Sequence, residues 1–226
     1  MSDPIAVVGT DTGVGKTVVT AGLTRWLRER GVDARAIKPA QTGFPPDDDA
    51  GFVTEACGDP DAATCCRYLE PPLAPRVAAA RTGAELTYDS ILTACRDAVA
   101  DVDRPIVEGI GGLRVPLAGD HEVIDLVDDL EATALVVTRS GLGTLNHTAL
   151  SVEALERRGI DVAGIVCNEY EGATVAERTN PPELERMTGH DVETVPPLEG
   201  ETPQALADGV ADGLSTAFLK QIGLDD

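Results

Sequence analysis

A chain of 226 residues has room for one substantial domain and is short for two. Its charge, 18 Lys plus Arg against 39 Asp plus Glu for a net of −21, repels nucleic acid and anionic membranes and argues against a partner of either kind. No apolar run reaches the length of a membrane span, and Met1-Ser2-Asp3-Pro4 carries no basic leader, so a cytoplasmic protein is expected.

Residues 5–8 are a short apolar, β-branched run ending in glycine, which predicts a buried strand. The turn Gly9-Thr10-Asp11-Thr12-Gly13-Val14-Gly15-Lys16-Thr17 follows. It leads into a helix over 17–30, with Val18, Ala21, Leu23 and Leu27 recurring on one face and Gly31 as its stop. A second strand, 34–37, is closed by Lys38-Pro39. Residues 41–51 form a turn-rich acidic loop containing Asp47, Asp48 and Asp49, and a helix is expected over 50–57. The prolines of 70–75 break the pattern. Beyond them come a helix over 86–102 and a strand over 105–108, leading into Gly109-Ile110-Gly111-Gly112. A short helix over 123–130 precedes a strand over 134–138, and Gly141-Leu142-Gly143 introduces a helix over 144–158. A strand then runs from Ile160 to Cys167-Asn168. A helix over 182–188, a strand over 192–195 and a helix over 203–218 complete the chain.

Strands and helices alternate, and the strands are apolar runs without a polar face. That combination predicts an α/β fold: a single domain, 1–226, with a doubly wound, mostly parallel sheet and helices on both faces.

In such sheets ligands sit beyond the carboxyl ends of the strands. The first strand ends in a phosphate-binding loop: strand, cradle of backbone N–H groups, helix N-terminus. Lys16 is placed to reach terminal phosphates and the Thr17 hydroxyl to sit on Mg²⁺. The loop is long, with five residues between Gly9 and Gly15 where the common pattern has about four. Glu108 at a strand tip, with one of Asp47, Asp48 and Asp49, suits a magnesium ion shared with Thr17. Lys38 is one of three lysines in the chain, and at the end of a strand it can neutralise charge on a transferred phosphoryl group.

Cys57, Cys65, Cys66, Cys95 and Cys167 are odd in number and lack C-x-x-C spacing, which points to reduced, mostly buried thiols. Acidity with so few lysines reads as adaptation to a high-salt cytoplasm, where screening acts over about 3 Å at 1 M.

Residues 9–17 with their extra loop residue, Lys38-Pro39-Ala40-Gln41-Thr42-Gly43 and Val107-Glu108-Gly109-Ile110-Gly111-Gly112 together resemble the dethiobiotin synthetase family. Gly143-Thr144-Leu145-Asn146-His147, Val166-Cys167-Asn168 and Val195-Pro196 extend the resemblance over nearly the whole chain. It implies the fold of the P-loop nucleoside triphosphatases and an ATP- and Mg²⁺-dependent ring closure on 7,8-diaminononanoate with CO₂. By that resemblance Lys16 and Lys38 stabilise phosphoryl transfer with Thr12 nearby, and Gly13, Val14, Gly15, Lys16, Thr17 and Val18 cradle the nucleotide. Thr17, Asp49 and Glu108 hold Mg²⁺, Asp49 being chosen because it precedes Ala50. Lys38, Thr42 and Gly111 hold a carbamate, while Asn168, Pro196, Pro197 and Leu198 recognise adenine.

The resemblance also implies a homodimer in which Leu142, Gly143, Thr144, Leu145 and Asn146 bind the substrate carboxylate of the neighbouring subunit. His147 beside them reads as a structural helix residue. Three positions depart from the family pattern: Thr42 is often serine, Gly13 stands where some relatives carry a side chain, and Ile110 replaces a smaller residue. A partitioning-type nucleotide switch would share the fold, but Asp11 occupies the place of its signature lysine. An amidating synthetase would need a glutaminase domain for which the chain has no room.

Overall fold

Strand β1 (Ile5–Gly9) is buried at all five positions, as an apolar run must be when helices cover both faces of its sheet. The computed structural model describes residues 3–224, so Met1 and Ser2 of the leader reading, and the last two residues of the domain reading, lie outside it. After β1 come α1 (Lys16–Glu29), β2 (Ala34–Lys38), β3 (Gln41–Thr42) and α2 (Asp49–Cys57). A 3₁₀ turn (Pro60–Ala62), β4 (Ala63–Cys65), β5 (Tyr68–Leu69) and α3 (Pro75–Thr82) lead to α4 (Tyr88–Ala100). Strand β6 (Arg104–Gly112), the hairpin β7 (Pro116–Ala118) and β8 (His121–Glu122), and α5 (Val123–Asp129) follow. The rest is β9 (Thr133–Arg139), α6 (Thr144–Glu156), β10 (Val162–Asn168), α7 (Val175–Thr188), β11 (Val192–Thr194), α8 (Pro203–Gly213) and α9 (Thr216–Gln221).

Seven strands form the central sheet in the order β11-β10-β9-β1-β6-β2-β4, and all of their pairings are parallel. Side chains alternate across β1. Ala6 and Val8 join Ile37, Ile91, Val107, Ile124 and Leu155 in one buried layer. Ile5 and Val7 join Leu23, Leu27, Ile106, Val210 and Phe218 in the other. The doubly wound α/β sheet expected from the pattern is therefore the fold.

Several boundaries differ from expectation for local reasons. Strand β6 continues through the glycines to Gly112, because Gly112 still pairs with Gly9 of β1. Helix α7 begins at Val175 rather than 182: Thr174 and Glu177 form a reciprocal capping box, and Pro181 and Pro182 lie inside the helix. The helix expected over 203–218 is two, since Ser215 caps a new one by accepting from the Phe218 N–H. Strands β3, β4, β5, β7 and β8 are two or three residues long, too short to show a period.

Candidate active site

Strands β1, β6 and β2 are neighbours, so their carboxyl ends bring the phosphate loop, Glu108 and Lys38 to one edge. Val7 lies opposite Glu108, and Ile37 opposite Val107. Thr17, on the first turn of α1, donates to Glu108 Oε1 at 2.8 Å. Lys38 Nζ donates to the same oxygen at 2.8 Å and to the Gly109 carbonyl at 3.3 Å. It also meets Asp49 Oδ2 at 2.5 Å. Both Lys38 and Glu108 are buried, at 5% and 2% exposure.

Asp49 is singled out from its neighbours by helix α2. Asp48 is the N-cap, its side chain accepting from the Gly51 N–H at 2.9 Å. Gln41 accepts from the Asp49 N–H at 3.0 Å and donates to the Thr42 carbonyl at 2.9 Å, which fixes the helix start against β3. Gln41 was part of the Lys38–Gly43 motif, but its holding role depends on the fold of the acidic loop.

Burial opposes the charge on Lys38, yet Glu108 and then Asp49 outweigh it and hold its pKa above the ordinary value. Burial, with Asp49 adding to it, pushes Glu108 up against the pull of Lys38. Burial also acts to raise Asp49, but Lys38 overrides it and keeps that carboxyl below its usual range. Lys16, buried at 7% exposure, is pushed down to about 8 by burial first and Lys38 second. Its Nζ donates to the Asp11 carbonyl at 3.0 Å, inside its own loop.

A cavity of about 830 Å³ opens over this cluster, lined by Thr12, Lys16, Thr17, Lys38, Thr42, Asp49, Glu108 and Gly111 among others. Thr17, Asp49 and Glu108 offer only hard oxygens, and the two carboxylates already converge on one buried cation, Lys38. That donor set fits Mg²⁺, which takes few protein ligands and completes its octahedron with phosphate and water. Among the described residues no group of three His, Cys, Asp and Glu side chains is placed to hold a metal.

The glycine-rich loop turns into α1 at Gly15, the helix N-cap, at φ 99°. A Cβ there would stand 2.0 Å from Asn168 Nδ2, so side chain and loop are packed into direct contact. Asn168, 3% exposed, donates to the Val14 carbonyl at 3.1 Å, while its Oδ1 is buried without a partner. Pro196, Pro197 and Leu198 leave β11, the strand beside β10, and Leu198 packs over Gly209 of α8. Neither Asn168 nor this segment lines the large cavity.

A model described as an AAA domain matches residues 3–204. The chain is 60% identical over 210 residues to the ATP-dependent dethiobiotin synthetase BioD of Haloferax mediterranei, covering 92% of this chain and 90% of that one. The chain belongs to the dethiobiotin synthetase family. The BioD of Anaeromyxobacter sp. (strain K) is 44% identical over 200 residues, covering 85% and 89%. Among solved structures, the cell division ATPase MinD of Pyrococcus furiosus superposes with a TM-score of 0.57 at 17% identity, covering 99% of this chain and 98% of that one. At that identity the likeness speaks for the fold alone.

Against the dethiobiotin synthetase pattern, Lys38, Thr42 and Gly111 line the cavity, and Leu142, Gly143, Thr144, Leu145 and Asn146 do not. The latter stand at the start of α6, where Leu142 is 93% exposed. Gly143 caps that helix without a side-chain hydrogen bond, as Gly15 does for α1. The Thr144 hydroxyl is turned inward, leaving only its backbone for a ligand. Two residues that no motif announced support these loops. Asn180 of α7 donates to the carbonyls of Ser140 (2.8 Å) and Gly141 (3.1 Å). Arg139 at the end of β9 donates to the carbonyls of Thr12 (3.4 Å) and Gly13 (3.2 Å). Gly13 sits at φ 69°, in the left-handed region that glycine adopts without strain.

Proposed function

We propose that this chain is an ATP- and Mg²⁺-dependent dethiobiotin synthetase that carboxylates 7,8-diaminononanoate with CO₂ and closes the ureido ring. The observation that carries the reading is Lys38, a second buried lysine facing the phosphate loop across Glu108, in a chain of this family. A switch that only hydrolyses ATP has no need of a buried cation on the acceptor side. Asp11 in place of the switch lysine points the same way; its carboxylate accepts from the Thr12 N–H at 2.7 Å.

One amine of the substrate takes up CO₂ as a carbamate, releasing a proton. A carbamate oxygen then attacks the γ-phosphorus and ADP leaves, giving a carbamic-phosphoric anhydride. The second amine attacks its carbonyl carbon, phosphate leaves with the bonding pair, and the cyclic urea loses the remaining proton. Lys38, with Thr42 and the Gly111 backbone, holds the carbamate and offsets its charge. Lys16 binds the phosphoryl oxygens, with the Thr12 hydroxyl next to Gly111. Thr17, Asp49 and Glu108 would hold Mg²⁺, which supplies charge neutralisation along the phosphates.

The unpaired Oδ1 of Asn168 supports adenine as the base, because an acceptor there meets a 6-amino group. The uncapped N-terminus of α6, outside the cavity and led by an exposed leucine, supports a homodimer in which it serves the carboxylate of the neighbouring subunit. The five free cysteines are consistent with a cytoplasmic setting, and no helix among the described residues is long and apolar enough to cross a membrane. Phosphate release from Mg·ATP and bicarbonate tests the reading. It should depend on the diamine, and a rate indifferent to the diamine would sink it.

A further inference from the structure

Thr138, the residue before Arg139 at the end of strand β9, is 1% exposed and carries a hydroxyl where apolar packing alone would ask for valine. Its Oγ1 lies 3.1 Å from that of Thr10, 2.7 Å from that of Thr144 and 3.0 Å from that of Thr148, which donates to it. Thr144 and Thr148 approach each other at 3.3 Å, closing a triangle. A hydroxyl has one proton and two lone pairs, so three neighbours exhaust its capacity. Thr10 opens the phosphate loop, and its N–H donates to the Val137 carbonyl at 3.1 Å. Thr144 and Thr148 are the first two turns of α6. One buried hydroxyl therefore ties the ATP loop to a helix end that does not line the cavity. Arg139, the next residue, ties Thr12 and Gly13 of the same loop to the same strand.

We propose that Thr138 is a positioning residue that couples the nucleotide loop to the start of α6. Through it, the ATP site of one protomer is coupled to the diamine carboxylate site of its neighbour. The inference rests on the reading in which the α6 end binds that carboxylate. Because moving Thr10 or Thr144 apart costs the buried hub one of its three bonds while Thr148 holds it in place, ordering one end by its ligand favours the ordered position of the other. Linkage makes the effect reciprocal: the nucleotide tightens the diamine by the factor by which the diamine tightens the nucleotide.

The test is equilibrium binding of 7,8-diaminononanoate to the full-length homodimer, with and without Mg²⁺ and a non-hydrolysable β,γ-methylene analogue of ATP. In the unmodified protein the analogue should tighten the diamine by about fivefold or more. In Thr138→Val the factor should fall to within about twofold of unity, and Thr138→Ser should restore it. Thr10→Val removes only the loop spoke, at a half-buried position, and should lose the coupling in the same way if Thr138→Val does not fold. A merely structural role would lower the melting temperature and weaken both ligands while leaving their ratio unchanged, and that result overturns the proposal. So does an unmodified protein that binds the diamine with no response to the analogue, which leaves the substrate reading standing. An unmodified protein that binds no diamine overturns the substrate reading and the coupling with it.

Discussion

Lys38 Nζ and Glu108 Oε1 lie 2.8 Å apart at the tips of adjacent parallel strands, both buried, with Asp49 closing on the ammonium from the start of α2. One cation holds two carboxylates that, with Thr17, make a magnesium-type donor set. The same lysine is thus the acceptor-side charge of the proposed chemistry and the counter-ion of the proposed metal site.

Replacing Lys38 by alanine should therefore do two separable things. Removing one partner of a buried ion cluster costs about 3–5 kcal/mol, and millimolar Mg²⁺ should return part of that stability by taking a place between the freed carboxylates. Turnover should fall by about 10²-fold or more, with ATP affinity changed much less. Melting curves with and without Mg²⁺ check the first effect and single-turnover rates the second. A normal rate would remove Lys38 from the site.

In the proposed function Asn168 sets the base. Its Nδ2 is committed to the Val14 carbonyl, an acceptor, so the oxygen must be the free end. Adenine presents a donor to it, whereas guanine presents a carbonyl. ATP should be preferred to GTP, and Asn168→Ala should raise the KM for ATP about tenfold while narrowing the preference. Equal use of GTP by the unmodified protein would contradict the assignment.

The free protein's Lys16 titrates near about 8, because burial and Lys38 both disfavour its charge. Folded, it binds fewer protons than unfolded between that pH and the ordinary 10.5. Its contribution is then a penalty that is full below about pH 8 and relieved as pH rises toward 10.5. Phosphate oxygens favour the charged form, so Mg·ATP binding above about pH 8 should take up a proton. Calorimetry in buffers of different ionisation heat reads this directly; identical heats in every buffer would contradict it.

A net charge of −21 on 226 residues should leave the fold repelling itself in dilute buffer. The melting temperature should rise steadily from low KCl toward molar KCl as screening shortens. A flat or falling curve would refute adaptation to a salt-rich interior.

The strong signals were legible where residue type and spacing are tied to one chemistry. Gly15-Lys16-Thr17, Lys38 and Glu108 each followed an apolar strand, and neighbouring parallel strands bring such ends together. Asp49 was legible only as one of three, since what separates it from Asp48 is which residue caps α2, a matter of backbone geometry. Gln41 accepts from the Asp49 N–H, and Arg139 and Asn180 donate to distant carbonyls, bonds that leave no periodic or spacing signal. The threonine hub was invisible for the same reason: Thr10 and Thr138 are 128 residues apart and meet only when β1 and β9 pair. The helix expected from 182 begins upstream at Val175, where the Thr174–Glu177 capping box starts it.

The central claim is that ATP is spent on joining CO₂ to a diamine. Incubating the protein with Mg·ATP, ¹³C-bicarbonate and 7,8-diaminononanoate, then weighing the product and counting phosphate, tests it most directly. The account predicts a cyclic urea carrying one ¹³C, formed one for one with ADP and phosphate. ATP hydrolysis that proceeds without incorporation of the label into the diamine would contradict it.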